Sequence, residues 1–545
     1  MRAPGRPDEL IEWPRPSLSL EELARPRRRA LTGLFLRPFV LAIVAFALFF
    51  GVEFYLEWRR AGYPGWHALS WAAAGNNAKL VDALSPIARA YNNLLAMLLA
   101  TIGFAIPLTA NMHTPKLIEM FLRDRINRLV LTFIAFGAAH VLWVSYIIGP
   151  AFAPTWAIAA AVYVALVGWA VLIPYFFYVV RFIDPSRLVI RLRDASTRAV
   201  ERAGRRKMDP AAAQHELSTR IGQIGTITIK SLDRNDRDVA AEGAWALKVL
   251  LDHYGRHKER MPREWFVVDR SSFVGFSEQA LDMLVEAKTW YEMKVLQQLE
   301  LAYLRALHGP TDTVAVFSDA LRVIASRSHD RHDEQALRLE IRFFNNFLRE
   351  AIRSGELRAV YDVLHQYRQL ARTIIERDDL VVEIGRHLTY YAGMARTYGM
   401  VFAPQLAVFD LGYITRRAYD SQRRAAPALL AQALSLPHRT GADVHSMAVK
   451  AKLILGAYLL ETQREAEAEF VRKNLRDVDP DEFERAEADL LSADRSFFEV
   501  TDRQHNLEYV PPERRESLRR FCRSLAETAA VPLGRGRRDS TPAAG

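Results

Sequence analysis

The stretch His329, Asp330, Arg331, His332, Asp333, Glu334 places five metal-type donors in six residues. Imidazole and carboxylate together suit divalent transition metals. Here they lie between two helical patterns, where His and Asp are ordinary turn residues, and no further ligand can be named. The stretch reads as a polar interhelical turn. His253 and His257 stand at i, i+4, which puts both rings on one helical face, the spacing that zinc enzymes use. No glutamate follows the first histidine, as a catalytic pair would need, so the pair reads as a solvated helix end. Glu383 and His387 share the spacing and the reading. The signatures G-x-x-x-x-G-K-[ST], G-x-G-x-x-G and G-x-S-x-G are absent. The single cysteine, Cys522, excludes an intrachain disulfide and a cysteine-based metal centre, and reads as a small buried hydrophobe. No catalytic, cofactor or metal residue is expected, and the chain is not expected to be an enzyme.

The remaining polar candidates depend on what positions them. Four stretches meet the requirement of about 20 predominantly apolar residues for crossing a bilayer: 39–56, 94–111, 129–148 and 156–180. Glu53 is the one acidic or basic side chain inside any of them. A cleavable signal peptide is not expected for the first run, since VEFYLEWRR follows rather than a small-residue cleavage site. His140 falls mid-span among Gly137, Ala138 and Ala139, and Asn111 lies at the end of the second span. Polar side chains in lipid are costly, so His140, Asn111 and Glu53 form the candidate intramembrane site. Pro107 and Pro174 interrupt backbone pairing within the second and fourth runs, which can mark a kink or cavity.

Orientation follows from the Lys/Arg distribution. The segments 1–37, 113–128 and 181–207 carry 21 of these residues, against four in 57–92 and none in IGPAFAPT. Both termini are therefore expected in the cytoplasm of a bacterial inner-membrane protein. Trp58, Trp66, Trp71, Trp143 and Trp156 fall where an outer aromatic belt would lie. The segment PKLIEMFLRDRINR, 115–128, then becomes a cytoplasmic connection, with Leu117, Ile118, Phe121, Leu122 and Ile126 at helical spacing. It reads as an amphipathic interfacial helix.

The stretch ALSPIARAYNNLLAMLLATIGFAIPLTANMHTPKLIEMFLRDRINRLVLTFIAFGAAHVLW resembles a bacterial family of predicted multi-span membrane proteins of unknown function. The family pairs a helix after small residues with Pro-[Arg/Lys]-Leu-Leu-x-x-Phe-x-Arg-Asp-Arg. Pro115, Lys116, Leu117, Phe121, Arg123, Asp124 and Arg125 match it in order. A second resemblance is the Asn-Asp turn between helices, at Asn235 and Asp236, without the family's preceding Ser-Pro-Gly and following Pro. Together these cover about residues 83–255. Other members carry a compact β-rich insert after the last span, replaced here by about forty helical, Arg-rich residues. The resemblance implies fold and membrane location, not an activity.

The organisation expected is all-α: a basic tail, 1–30, mostly disordered; a four-helix transmembrane bundle, 31–183; a large cytoplasmic helical bundle or irregular solenoid, 184–530; and a disordered tail, 531–545. Helical patterns run over 210–232, 237–255, 272–308, 313–327, 333–353, 356–376 and 379–396, then 411–421, 425–435, 441–476, 480–492 and 512–529. No sequence repeat of 30–47 residues stands out. Net charge is +10, and the arginine excess gathers beside the apolar runs, which favours a membrane surface over nucleic acid. Arg181, Arg187, Arg191 and Arg193, with Arg198, are placed to meet anionic head groups at about 1 kcal/mol each. Arg123, Asp124 and Arg125 are candidates for coupling the membrane part to the helices around Asn235 and Asp236. The expected function is a membrane-anchored helical scaffold or sensor; the alternative is a homo-oligomeric ion channel or transporter. Expected partners are anionic head groups, a further copy of the chain and a protein on the cytoplasmic helices, with no cofactor.

Overall fold

The computed structural model describes residues 77–112, 118, 121–122, 124–148, 155–268, 273, 277–309, 312–440, 443–496, 503 and 506–529. The expected span 39–56 with Glu53, Arg123 and both tails lie outside them. Two compact units divide the chain, one up to Asp184 and one from Pro185. Both are helical among the described residues, as an all-α fold requires.

The first unit holds α1 (Asn77–Met112), α2 (Arg125–Ile147) and α3 (Thr155–Ile183). Each is long and apolar enough to cross a membrane, over Asp82–Phe104, Arg125–Tyr146 and Ala157–Ile183. The apolar runs 129–148 and 156–180 fall in α2 and α3 almost end to end. The helix α1 starts well before 94, because Ala83, Leu84, Ala88 and Ala90 carry the helical pattern back through Pro86. Pro107 and Pro174 sit inside continuous helices, so neither breaks its element. The segment 115–128 is not one helix: Ile118, Phe121 and Leu122 are helical, Asp124 is extended, and α2 begins at Arg125.

Large apolar side chains cover both faces of this trio. Tyr91, Ile134, Val141, Ala161, Ala165 and Tyr175 are buried, while Phe104, Phe136, Trp143, Tyr163, Ile173 and Phe177 are exposed. An apolar exterior of this extent marks a surface meant for something other than water. Inside, the Tyr91 ring lodges between Gly137 of α2 and Gly168 of α3. A Cβ on Gly137 would stand 2.8 Å from the Tyr91 hydroxyl oxygen, and one on Gly168 would strike the ring itself. Small residues let membrane helices approach closely, and here they make the slot for one aromatic ring. Gly168→Leu is expected to destabilise the trio by about 1–3 kcal/mol through overpacking. Thermal unfolding in detergent measures this, and a loss below about 0.5 kcal/mol would contradict the slot.

The second unit stacks helical hairpins in two layers. One layer runs α5 (Pro210–Asp233), α8 (Trp290–Ala306), α10 (Glu334–Ser354), α12 (Asp378–Thr397) and α14 (Ala426–Ser435). The other runs α6 (Arg237–Gly255), α9 (Asp312–Asp330), α11 (Leu357–Thr373), α13 (Phe402–Asp420) and α15 (Ser446–Glu461). The helix α4 (Pro185–Gly204) packs on α5 and α6, and α7 (Glu278–Ala287) on α8. The unit ends with α16 (Glu465–Asn474), α17 (Pro480–Ser492) and α18 (Pro512–Ala529) against α15. Among the described residues one antiparallel pair, β1 (Arg439–Thr440) with β2 (Asp443–Val444), sits between α14 and α15.

A backbone device recurs at the hairpins. Asn235, Lys288, His332, Gly355 and Gln463 have positive φ, ending one helix in the left-handed region. The next residue in each case, Asp236, Thr289, Asp333, Glu356 or Arg464, begins the following helix. Its N–H returns to a carbonyl five residues back, as Asp236 to Ser231 at 2.9 Å and Asp333 to Ser328 at 3.0 Å. The helices α8, α10 and α12 start 44 residues apart, at Trp290, Glu334 and Asp378, the first two just after such a turn. The structure therefore has a repeat that the sequence does not show as a consensus.

Candidate functional site

At the start of α2, Asp124 is the N-cap. Its Oδ1 accepts from the Ile126 and Asn127 amides at 3.0 and 3.1 Å and from the Tyr178 hydroxyl at 2.7 Å. Asn127 is fully buried and donates to the Phe121 carbonyl at 3.1 Å, and Phe121 packs edge-on against Phe182 at 5.4 Å. Asp124 is thus a cap that also pins α3 to α2, while Arg125 is exposed. Asn235 and Asp236 do equivalent work elsewhere: one supplies the left-handed turn, and the other caps α6 by accepting from Val239 N at 3.2 Å. His140 is half-buried on α2 and has no hydrogen-bond partner among the described residues. Asn111 belongs to α1, with its side chain outside the description.

Of the arginines expected at head groups, Arg181 and Arg187 are exposed and Arg191 is half-buried. Arg193 departs from the expectation: only 7 % exposed, it chelates Asp194 Oδ1 at 2.7 Å and stacks over Trp245 at 4.5 Å. Its place on the inner stripe of α4, next to Leu192 and Ser196, turns it inward.

The HDRHDE turn builds structure rather than a metal cage. Asp333 caps α10 through Ala336 N at 3.1 Å, and its other oxygen accepts from Lys258 Nζ at 2.7 Å. Lys258 also donates to Glu292 Oε1 at 2.6 Å. His329 pairs with Glu376 at 2.9 Å, and Glu334 holds Arg338 and Arg377. Below the turn, Glu340 is buried, with Oε1 accepting from Ser328 Oγ at 2.7 Å and Oε2 without a partner. An aromatic floor closes the cluster: Tyr254 lies 4.3 Å from Tyr291, and Trp265 lies 5.0 Å from Trp290.

Burial pushes the Glu340 carboxyl up to about 8 from its ordinary 4.5. The folded chain therefore keeps a proton that the unfolded chain releases above about pH 4.5. The stability it contributes is complete below that value and is lost as pH rises through about 8, with a slope of up to about 1.4 kcal/mol per pH unit. Glu340→Gln should flatten the stability–pH profile between pH 5 and 8. An unchanged slope in urea unfolding would show that Glu340 does not hold this proton.

A second buried centre was not foreseeable from spacing, because its partners are 93 residues apart. Arg503 grips Asp410 with two hydrogen bonds of 2.6 and 2.9 Å, both side chains being essentially inaccessible. Arg368 lies 3.5 Å from the same carboxylate. Arg503 stacks over Tyr361 at 4.7 Å and Arg368 over Tyr413 at 4.8 Å. Burial and the charges of Arg368, Arg503, Arg322 and Arg372 press His365 down to about 2, so it stays neutral at any physiological pH.

His387 is held by Tyr367 and Asn345 at 3.2 and 3.1 Å, with Glu383 4.0 Å away. Cys522 is buried, and burial together with Glu487 raises its thiol far above the ordinary range. His253 and His257 are half-buried rather than solvated, and their rings stack at 4.5 Å.

Three apolar helices with this exterior call for a membrane. Residues 32–234 match the family model described as predicted membrane protein (DUF2254). The DUF2254 match spans just over a third of the chain, takes in α1 to α5 and ends one residue before Asn235. DUF2254 is a family of unknown function, so it brings location and fold without an activity. No curated protein matches the chain. A solved circular tandem repeat protein with novel repeat topology is similar at 14% identity and TM-score 0.31, over 83% of this chain and 98% of that one.

Proposed function

We propose that the chain is a multi-pass protein of the bacterial inner membrane with both termini in the cytoplasm. In this reading its helical second unit is a scaffold or sensor platform held at the bilayer, binding partners rather than catalysing a reaction. The observation that carries it is the make-up of the trio α1–α3. Among its described residues no charged side chain is buried, and the interior is filled by Tyr91, Tyr175, aliphatic residues such as Ile134 and Val141, and small residues. Such an interior suits an anchor. The platform offers repeated hairpins with apolar side chains outside, including Leu357 and Phe402, which open α11 and α13 at equivalent places one repeat apart. Exposed Arg181 and Arg187 fit anionic head groups.

His140 supports a second reading, a homo-oligomeric ion channel or transporter. It is half-buried mid-helix with no partner among the described residues, and polar groups in lipid commonly mark a pathway. Ion flux in proteoliposomes separates the two. The scaffold reading expects none from wild type or His140→Ala; flux in wild type that His140→Ala abolishes would overturn it.

A further inference from the structure

We propose that Glu201, His253 and His257 form a binding site for a divalent transition metal of the zinc class. One ligand atom from each residue lies within 4.8 Å of the other two. Glu201 Oε1 stands 3.6 Å from His253 Nε2, too long for a hydrogen bond and close to the separation of two ligands on one metal. Tetrahedral zinc with bonds of about 2.0–2.1 Å sets its donors about 3.3 Å apart, close to the Glu201–His253 separation.

The arrangement is prepared in three ways. First, His253 lies in the last turn of α6 and His257 just past its end, with the two rings stacked at 4.5 Å, and α4, which carries Glu201, packs on α6. Second, His257 Nδ1 is 2.9 Å from the His253 carbonyl. A carbonyl only accepts, so Nδ1 carries the hydrogen and Nε2 keeps its lone pair for a metal. A backbone carbonyl behind a ligating imidazole is a usual second partner at metal sites. Third, His253 Nε2 is a buried nitrogen with no hydrogen-bond partner, a costly omission that a bound cation would remove.

The neighbouring charges do not compete. Asp252 is engaged by Arg256 and by Arg331 at 3.1 Å, so Arg256, the guanidinium next to His257, is already paired. Two imidazoles and one carboxylate select zinc-class ions over magnesium or calcium. Three protein ligands leave one position for water or a further donor. A metal here would tie α4, the first helix of the unit, to α6. The sequence hid the site because the glutamate is 52 residues before the first histidine rather than beside it.

The test uses the full-length chain in nanodiscs, stripped with a chelator and titrated with Zn2+ and Co2+. The expected result is about one zinc retained per chain after gel filtration, with visible cobalt bands of tetrahedral intensity. Glu201→Gln and His257→Gln should each weaken zinc binding by about tenfold or more, and His329→Gln, in a separate ion pair, should not. Metal-free thermal unfolding that matches wild type shows that the variants fold. Failure of wild type to retain zinc, or wild-type zinc affinity in either ligand variant, would overturn the proposal.

Discussion

Asp410→Asn should cost the helical unit about 3–5 kcal/mol, among the largest losses any single change could cause. The carboxylate is fully buried and answers two buried guanidinium groups, Arg503 by two hydrogen bonds and Arg368 at 3.5 Å. Removing its charge leaves both cations in a low-dielectric interior, where a lone charge is far costlier than a pair. The pair is not thereby a large net stabiliser, since its own desolvation offsets most of the attraction. Asp410→Asn with Arg503→Met should therefore recover part of the loss. Urea unfolding followed by helical circular dichroism measures both. A loss below about 1 kcal/mol for the single change would mean that Asp410 is not the counter-charge described.

Trp290→Ala should cost about 3–5 kcal/mol by a different route. Trp290 is buried between Trp265 and Tyr291, with ring centroids 5.0 and 5.6 Å away. Its Nε1 donates to the Trp265 carbonyl at 2.8 Å, and Gln214 donates to that same carbonyl at 2.8 Å. The substitution empties the centre of the aromatic floor under Lys258 and leaves the carbonyl with one donor. Trp290→Phe keeps most of the volume and should lose less than half as much. Equal losses for the two would place the energy in the hydrogen bond rather than in the packing.

Where the chain marks its own boundaries, the sequence was readable. The expected helices 237–255, 480–492 and 512–529 coincide with α6, α17 and α18, because Asp236, Asp479-Pro480 and Pro511-Pro512 are local start signals. The pattern 272–308 contains two helices, broken at Lys288, and 441–476 contains two, broken at Gln463. Both breaks are left-handed residues with full side chains, where a glycine would have been the visible signal. The start of α13 at Phe402 was hidden by Pro404, which the first turn of a helix tolerates. The 44-residue spacing escaped for a related reason: the connections that keep it differ, a left-handed Lys288 and His332 before α8 and α10 and residues of negative φ before α12. Of the candidate sites, Asp124 and Asn235-Asp236 were legible as marked positions, since caps and turns are local. The Lys258 and Asp410 centres were not, because partners 34, 75 and 93 residues apart meet only through the stacking of the layers.

The claim that a membrane anchor carries a cytoplasmic helical platform is tested most directly by its topology. Single cysteines at Ala153 and at exposed Asp330, in a Cys522→Ser background, can be probed in intact cells with a membrane-impermeant maleimide. The account predicts that Ala153→Cys is labelled at once and that Asp330→Cys is labelled only after the inner membrane is permeabilised. Labelling of Asp330→Cys in intact cells, with Ala153→Cys protected, would contradict it.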